Sequence, residues 1–302
     1  MPAGLLGIEE LERTEIEAIL ARAKDFQPLQ SQSQKKLDAL RGKMIVNLFY
    51  EASTRTRTSF EIAAKRMGAD AVSITAAASS VSKGESLVDT LNTLAAMHPD
   101  AIVMRHAASG APHFLARYLP TPIINAGDGT HEHPTQALLD ARTILDRRSR
   151  LEGLRVAIIG DIAHSRVARS NIHLLAKFGV EIVLCGPASL LPQELAQLAP
   201  GVSLTTDICD AIRGADVIMM LRVQLERQHE ASFPASEYFQ FYGLRLEHLD
   251  LAKPDAIVMH PGPINRGREL SSEVADFQRS VILNQVENGI AVRMAVLERV
   301  IG

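Results

Sequence analysis

From residue 44 onward, short apolar runs of strand length alternate with helical patterns, pause at a polar stretch near 146–150, and then resume. In the first half, 44–49, 70–74, 101–105 and 122–125 read as strands. Between them 54–67, 85–97 and about 110–118 place their apolar residues at helical spacing. A strand that returns through a helix lies parallel to its predecessor, so this rhythm calls for a parallel sheet with helices on both faces. A further helix runs from about 134 to 146 and ends in Asp146-Arg147-Arg148-Ser149-Arg150. Beyond it, 155–160, 180–185, 216–221 and 256–260 are strand runs, with a helix over 165–178. At 302 residues there is room for two such domains. An amphipathic helix is expected over 8–23. Another over 284–302, carrying Val286, Ile290, Met294, Leu297 and Ile301, is expected to dock back on the first domain.

In open parallel sheets, ligands gather beyond the carboxyl ends of the strands. The first such end runs into Ser53-Thr54-Arg55-Thr56-Arg57 just where a helix begins. Ser53 suits the N-cap. First-turn amides lack partners inside the helix and carry partial positive charge. With the hydroxyls of Ser53, Thr54 and Thr56 and the guanidinium of Arg55, they make a cradle for phosphate, denser in anion donors than capping requires. Arg105 closes the strand at 101–105 and belongs to the same edge. So do His133 and Gln136, which flank a Pro134 placed for the first turn of a helix. The segment 75–83 is small and polar with no large apolar anchor. It reads either as a solvated surface loop or as a lid whose Lys83 brings an ammonium to an anionic substrate.

In the second half Gly160-Asp161-Ile162-Ala163-His164-Ser165 stands where a dinucleotide fingerprint would be. It has only the first glycine of that motif, and the next strand ends without the ribose-binding acid, so dinucleotide binding is rejected. Instead Arg166 follows one strand, Arg222-Val223-Gln224 another, and His260-Pro261-Gly262-Pro263 the last. Two arginines at one sheet edge suit a dicarboxylate, each forking onto a carboxylate. Pro261 and Pro263 have no backbone N–H, so their turn offers carbonyl acceptors, which suit an amide or amine.

Composition removes other classes. The hydrophobic fraction of 46% against 22% charged residues describes a globular chain, and a net charge of −3 makes no electrostatic case for nucleic acid or an anionic membrane. Cys185 and Cys209 form neither a disulfide framework nor a C-x-x-C, as expected in a reducing compartment. No stretch has a secretory signature or the apolar length to span a bilayer, so the cytoplasm is the expected location. His131-Glu132-His133 has no third partner at metal-site spacing, and no metal is expected.

Taken in order, Ser53-Thr54-Arg55-Thr56-Arg57, Arg105, His133-Pro134-Thr135-Gln136, Arg166, Arg222-Val223-Gln224 and His260-Pro261-Gly262-Pro263 resemble the motifs of the aspartate carbamoyltransferase family, over nearly the whole chain. The sister ornithine family shares the Ser-Thr-Arg-Thr and His-Pro-x-Gln segments but typically carries Ser-Met-Gly and His-Cys-Leu-Pro, which are missing here. Gly262 stands where some aspartate enzymes carry leucine or alanine, and Val167 is a second variation.

The resemblance implies an α/β fold of two doubly wound parallel-sheet domains joined by crossing helices, with the active site in the cleft between them. It implies a carbamoyl-phosphate domain over 1–134 plus the helix 285–302, and an aspartate domain over 135–284. Catalytic roles would fall to Arg55, Thr56, Lys83, Arg105 and His133. Carbamoyl phosphate would be bound by Ser53, Thr54, Arg55, Thr56, Ser79, Arg105, His133, Gln136, Pro261 and Gly262, and aspartate by Lys83, Arg166, Arg222 and Gln224. His133 would act as a hydrogen-bond donor or as a base. No cofactor is implied. The family's homotrimer, in which a neighbour lends the Ser79–Lys83 loop, is implied as well, as is room for separate regulatory or dihydroorotase-like chains. Competing readings are a carbamoyltransferase for another amino acid, an inactive scaffold, and a nucleotide-binding protein. The last lacks G-x-x-x-x-G-K-[ST].

Overall fold

A computed structural model describes residues 4–33, 35–75, 86–223 and 235–302. The chain divides into two compact units, 1–142 with 287–302, and 143–286. The first holds α1 (Arg13–Phe26), β1 (Met44–Phe49), α2 (Thr54–Arg66), β2 (Asp70–Thr75), α3 (Leu87–Ala95), β3 (Ala101–His106), α4 (Ala111–Ala116) and β4 (Ile123–Asp128). Its sheet is parallel throughout, in the order β2-β1-β3-β4. The inner strands are apolar because both faces are covered. Val46 and Leu48 of β1 and Ile102 and Met104 of β3 share one core with Leu91 and Leu94 of α3 and Leu115 of α4. Edge strand β2 is largely open to solvent.

The helix α5 (Pro134–Arg148) carries the chain into the second unit, which holds β5 (Arg155–Ile159), α6 (Arg166–Ala176), β6 (Glu181–Cys185), β7 (Val202–Thr205), α7 (Ile208–Ile212), β8 (Val217–Met220), α8 (Ala235–Tyr242), β9 (Ile257–Met259) and α9 (Ser272–Ala275). Its five strands are also parallel, in the order β7-β6-β5-β8-β9. The helix α10 (Ile282–Ile301) returns the chain to the first unit. Each strand order reverses once, between β1 and β3 and between β5 and β8. These are the two places where a doubly wound sheet opens a crevice for a ligand.

The division between the two units falls between Arg142 and Thr143, inside the unbroken helix α5. Two elements differ from the reading of the sequence. The first helix begins at Arg13. Ile8 and Leu11 are buried, but they precede the helix in a segment anchored by Leu5, which bridges to Ile124, and by the Ile8 amide, which Glu132 accepts at 2.9 Å. Glu15 reaches back 2.9 Å to the Glu12 amide and sets the helix start. Strand β7, short and half open, carries too little alternation to be read from sequence.

Candidate active site

In the first unit, the crevice between β1 and β3 is lined from both strands. Phe49 is in register with Arg105, and the Tyr50 amide donates to the Arg105 carbonyl at 2.9 Å. The chain then turns at Ser53, whose backbone is extended (φ −157°, ψ 94°), into α2. Ser53 takes the N-cap position expected of it, but its hydroxyl makes no capping bond, and the first turn of α2 holds no acid. No carboxylate of the helix's own first turn offsets its positive end. Thr54 and Arg55 are exposed there, Ser53 is half-buried and Thr56 is buried.

Arg105 is 9% exposed and held on two sides: Nη2 lies 2.7 Å from Glu51 Oε1, and Nη1 donates to the Ala126 carbonyl at 3.2 Å. The ion pair to Glu51 therefore sits on a buried guanidinium, not on a solvated surface one. Buried His133 accepts the Gln136 amide at 2.9 Å through its carbonyl and so starts α5. Gln136, also buried, donates Nε2 to Asp140 Oδ1 at 2.9 Å.

The stretch His131-Glu132-His133 does not converge on one point. Glu132 serves the N-terminal segment, and His131 turns its Nδ1 to Asp128 Oδ2 at 3.0 Å. Asp128 also accepts from Asn125 Nδ2 and from the amides of Gly110 and Glu132. Burial pushes the Asp128 carboxyl up, but the hydrogen bonds from His131, Asn125 and Gly110 outweigh it and hold it below its ordinary value. The same bond raises His131 against the effect of burial. Among the described residues, the group of three able to hold a metal is His113, Asp128 and His131, with ligand atoms within 4.8 Å of one another. The Asp128 oxygens there are already taken by four donors.

In the second unit the crevice lies between β5 and β8. Gly160 (φ +142°) ends β5, and a Cβ there would stand 2.9 Å from the Cβ of Leu221. That glycine serves the close approach of two strand ends, which leaves no reason to read it as a phosphate-binding one. Ser165 caps α6, its hydroxyl accepting the Ala168 amide at 3.1 Å, and Arg166 is the buried first residue of that helix. Arg222 follows β8 and is half-buried.

The turn after β9 has a specific chemistry. His260, 1% exposed, receives the Gly262 amide on Nδ1 at 2.8 Å. Pro261 and Pro263 have no N–H, so the turn's amides are all absent or occupied and its carbonyls remain. Gly262 sits at φ +68° in the left-handed region, which favours glycine.

Glu269 was not foreseen from the sequence. It is fully buried and accepts the Val223 amide at 3.2 Å, the Asn265 amide at 2.9 Å and Asn265 Nδ2 at 2.7 Å. One carboxylate thus ties the segment carrying Arg222 to the turn carrying Gly262. Burial raises its pKa against those bonds. Glu51 and Asp140 were likewise missed. An acid that orients a site residue looks in sequence like any other acid. Ser79, Lys83 and Gln224 lie outside the described residues.

The first crevice thus has the hydroxyl-bearing N-terminus of α2 with buried Arg105 and His133, and the second has Arg166 and Arg222 after its two strands and a carbonyl-only turn after β9. Comparison with known proteins matches this division. Residues 4–146 match the family described as aspartate/ornithine carbamoyltransferase, carbamoyl-P binding domain, and 152–300 match its Asp/Orn binding domain. The chain is 89% identical, over the full length of both, to a protein of Solibacter usitatus named aspartate carbamoyltransferase catalytic subunit. Among solved structures, it is similar to aspartate transcarbamoylase from Trypanosoma cruzi in complex with N-(phosphonacetyl)-L-aspartic acid (TM-score 0.91, 33% identity, 99% of this chain and 96% of that one). It is also similar to ornithine carbamoyltransferase from Pyrococcus furiosus (TM-score 0.90, 31% identity, 99% and 97%).

Proposed function

The chain belongs to the aspartate/ornithine carbamoyltransferase family, and from that membership we propose that it transfers the carbamoyl group of carbamoyl phosphate to L-aspartate. The products are N-carbamoyl-L-aspartate and phosphate, an early step of pyrimidine biosynthesis. The observation that carries the choice of acceptor is the 89% full-length identity to a chain named for aspartate, because the fold is similar to aspartate and ornithine enzymes alike. Arg166 and Arg222 support it, since an ornithine ammonium would meet like charge there.

In this reading Ser53, Thr54, Arg55 and Thr56 bind the phosphate at the start of α2. Thr56, Arg105 and His133 donate to the carbonyl oxygen, where negative charge grows as the amine attacks. Losing one such donor typically costs about 10²–10³ in rate. Gln136 and the carbonyls of Pro261 and Gly262 accept the N–H groups of the carbamoyl amide. Arg166, Arg222 and Gln224 take the two carboxylates of aspartate. The amine nitrogen bonds to the carbonyl carbon, the carbon–oxygen bond to phosphate breaks, and the departing phosphate takes the amine's proton. His133 then needs to act only as a donor. No step calls for a metal or an organic cofactor.

Carbamoyl-phosphate binding is assigned to 1–134 with 285–302, and aspartate binding to 135–284. A homotrimer is part of the proposal, with Ser79 and Lys83 reaching a neighbour's site and room for regulatory or dihydroorotase-like chains as partners. A cytoplasmic location suits the two free cysteines, Cys185 being buried with its thiol pushed up to about 12. Among the described residues no helix is long and apolar enough to cross a membrane.

The test is product formation by the purified chain from carbamoyl phosphate with L-aspartate or L-ornithine. Carbamoyl-aspartate is expected. Citrulline in its place would keep the phosphate half and overturn the reading of the second unit.

A further inference from the structure

A side-chain amide is nearly symmetric in shape, but its two ends are chemical opposites. Which end faces a ligand is decided by what holds the other. Gln136 is 8% exposed, and its side-chain partner among the described residues is Asp140, one helical turn further along α5. A carboxylate only accepts hydrogen bonds. The end of Gln136 that faces Asp140 across 2.9 Å is therefore Nε2, and Oε1 is the end left for a ligand. A neutral amide or hydroxyl at position 140 would accept or donate equally and would leave Gln136 able to turn over.

The surroundings keep Asp140 in this role. It is 0% exposed. Arg293 of α10, 4% exposed, lies close enough for the two charges to interact. Burial pushes the Arg293 guanidinium down to about 10; the charge of Asp140 opposes that and the charge of Arg105 adds to it. The guanidinium is steadied by a bond from Nη1 to the Gly289 carbonyl at 2.9 Å and by the Phe60 ring, 5.1 Å from its centroid. A buried cation of this kind favours an ionised neighbour over a neutral one.

We propose that Asp140 is a positioning residue that locks Gln136 with its oxygen toward the carbamoyl amide, and so makes the site prefer carbamoyl phosphate to acetyl phosphate. The inference rests on the carbamoyl-transfer reading above. Carbamoyl and acetyl phosphate differ by NH2 against CH3. Only the former pairs with an acceptor, and the latter leaves a buried oxygen unpaired. Both donors react alike at the carbonyl carbon: the aspartate amine bonds to it, phosphate leaves, and the product is N-carbamoyl- or N-acetyl-aspartate.

The test compares kcat/KM for the two phosphates, with saturating aspartate, in wild type and Asp140→Asn. The isosteric change keeps shape and removes the acceptor-only constraint. The carbamoyl-to-acetyl preference is expected to fall about 10–100-fold, the loss of one buried hydrogen bond, mostly through the carbamoyl substrate. A structural role alone would lower both rates together and leave the ratio standing, which would overturn the inference. Gln136→Leu removes the acceptor while leaving Asp140 and Arg293 in place. It should lose the preference similarly, and it decides the matter if Asp140→Asn does not fold: an unchanged ratio refutes the inference. A wild type that forms no carbamoyl-aspartate would instead remove the underlying function.

Discussion

Gly262 donates its amide to Nδ1 of His260 across 2.8 Å, and that bond takes the one remaining N–H out of a turn whose other two residues are prolines. It also settles the His260 tautomer: Nδ1 accepts, so the ring proton sits on Nε2. A turn without donors can present carbonyls to a carbamoyl NH2 without competing for the same hydrogens.

Replacing His260 with alanine would free the Gly262 N–H to point a donor at a donor. We expect kcat/KM for carbamoyl phosphate to fall about tenfold, the value of one hydrogen bond. Aspartate KM should change less. Steady-state kinetics on variant protein with a wild-type circular dichroism spectrum would decide it, and unchanged kinetics would remove the turn from the binding site.

The two arginine sites should separate in kinetics. Arg55→Ala is expected to abolish measurable saturation by carbamoyl phosphate. Arg222→Ala should chiefly raise the aspartate KM, by about 10–100-fold for a lost charge-assisted contact. An Arg222 variant with wild-type aspartate kinetics would show that the second unit has been read wrongly.

If a neighbour supplies Lys83, two dead variants should rescue each other. Lys83→Ala and Arg55→Ala, each inactive alone, would on dissociation and random reassembly regain about a quarter of wild-type activity, since that fraction of shared sites is intact in a closed trimer. Mixtures that stay inactive after verified exchange would place each site within one chain.

His131 and Asp128 make a pH-dependent stability contribution. The raised pKa of His131 means its contribution is full below its ordinary value of 6.5 and lost as pH rises through the folded value. The lowered pKa of Asp128 means its share is present above 3.8 and lost as pH falls through the folded value. The pair is therefore worth most between those ordinary values. The Tm gap between wild type and His131→Gln should be wider at about pH 5.5 than at about pH 9. Equal gaps would mean that the hydrogen bond does not depend on the histidine's charge.

What could be read from sequence was what lies close together in it. The Ser53–Thr56 run and the His260–Pro263 turn are contiguous, and each announces its chemistry through residue type alone. Strands β1, β3, β5 and β6 are buried on both faces and so show as plain apolar runs. The acids that orient the site could not be found that way. Glu51 meets Arg105 from 54 residues away, and Glu269 meets Val223 from 46. Nothing in the local sequence marks Glu269 as buried or Glu51 as half-buried. Asp140 is only a turn from Gln136, but helical spacing alone does not tell an orienting carboxylate from a solvated one.

The return of α10 to the first unit has a consequence in time. Ala291, Val292, Met294, Ala295, Val296 and Leu297 are each 2% exposed or less. Arg22 and Glu15 of α1 grip Glu298 and Arg299 at the helix's far end. Residues translated after the second unit are thus part of the packing of the first. A ribosome must deliver the whole of 143–286 before they exist. The first unit is begun before the second and filled in after it, and until α10 arrives its core lacks these side chains while the second unit's own sheet is already whole.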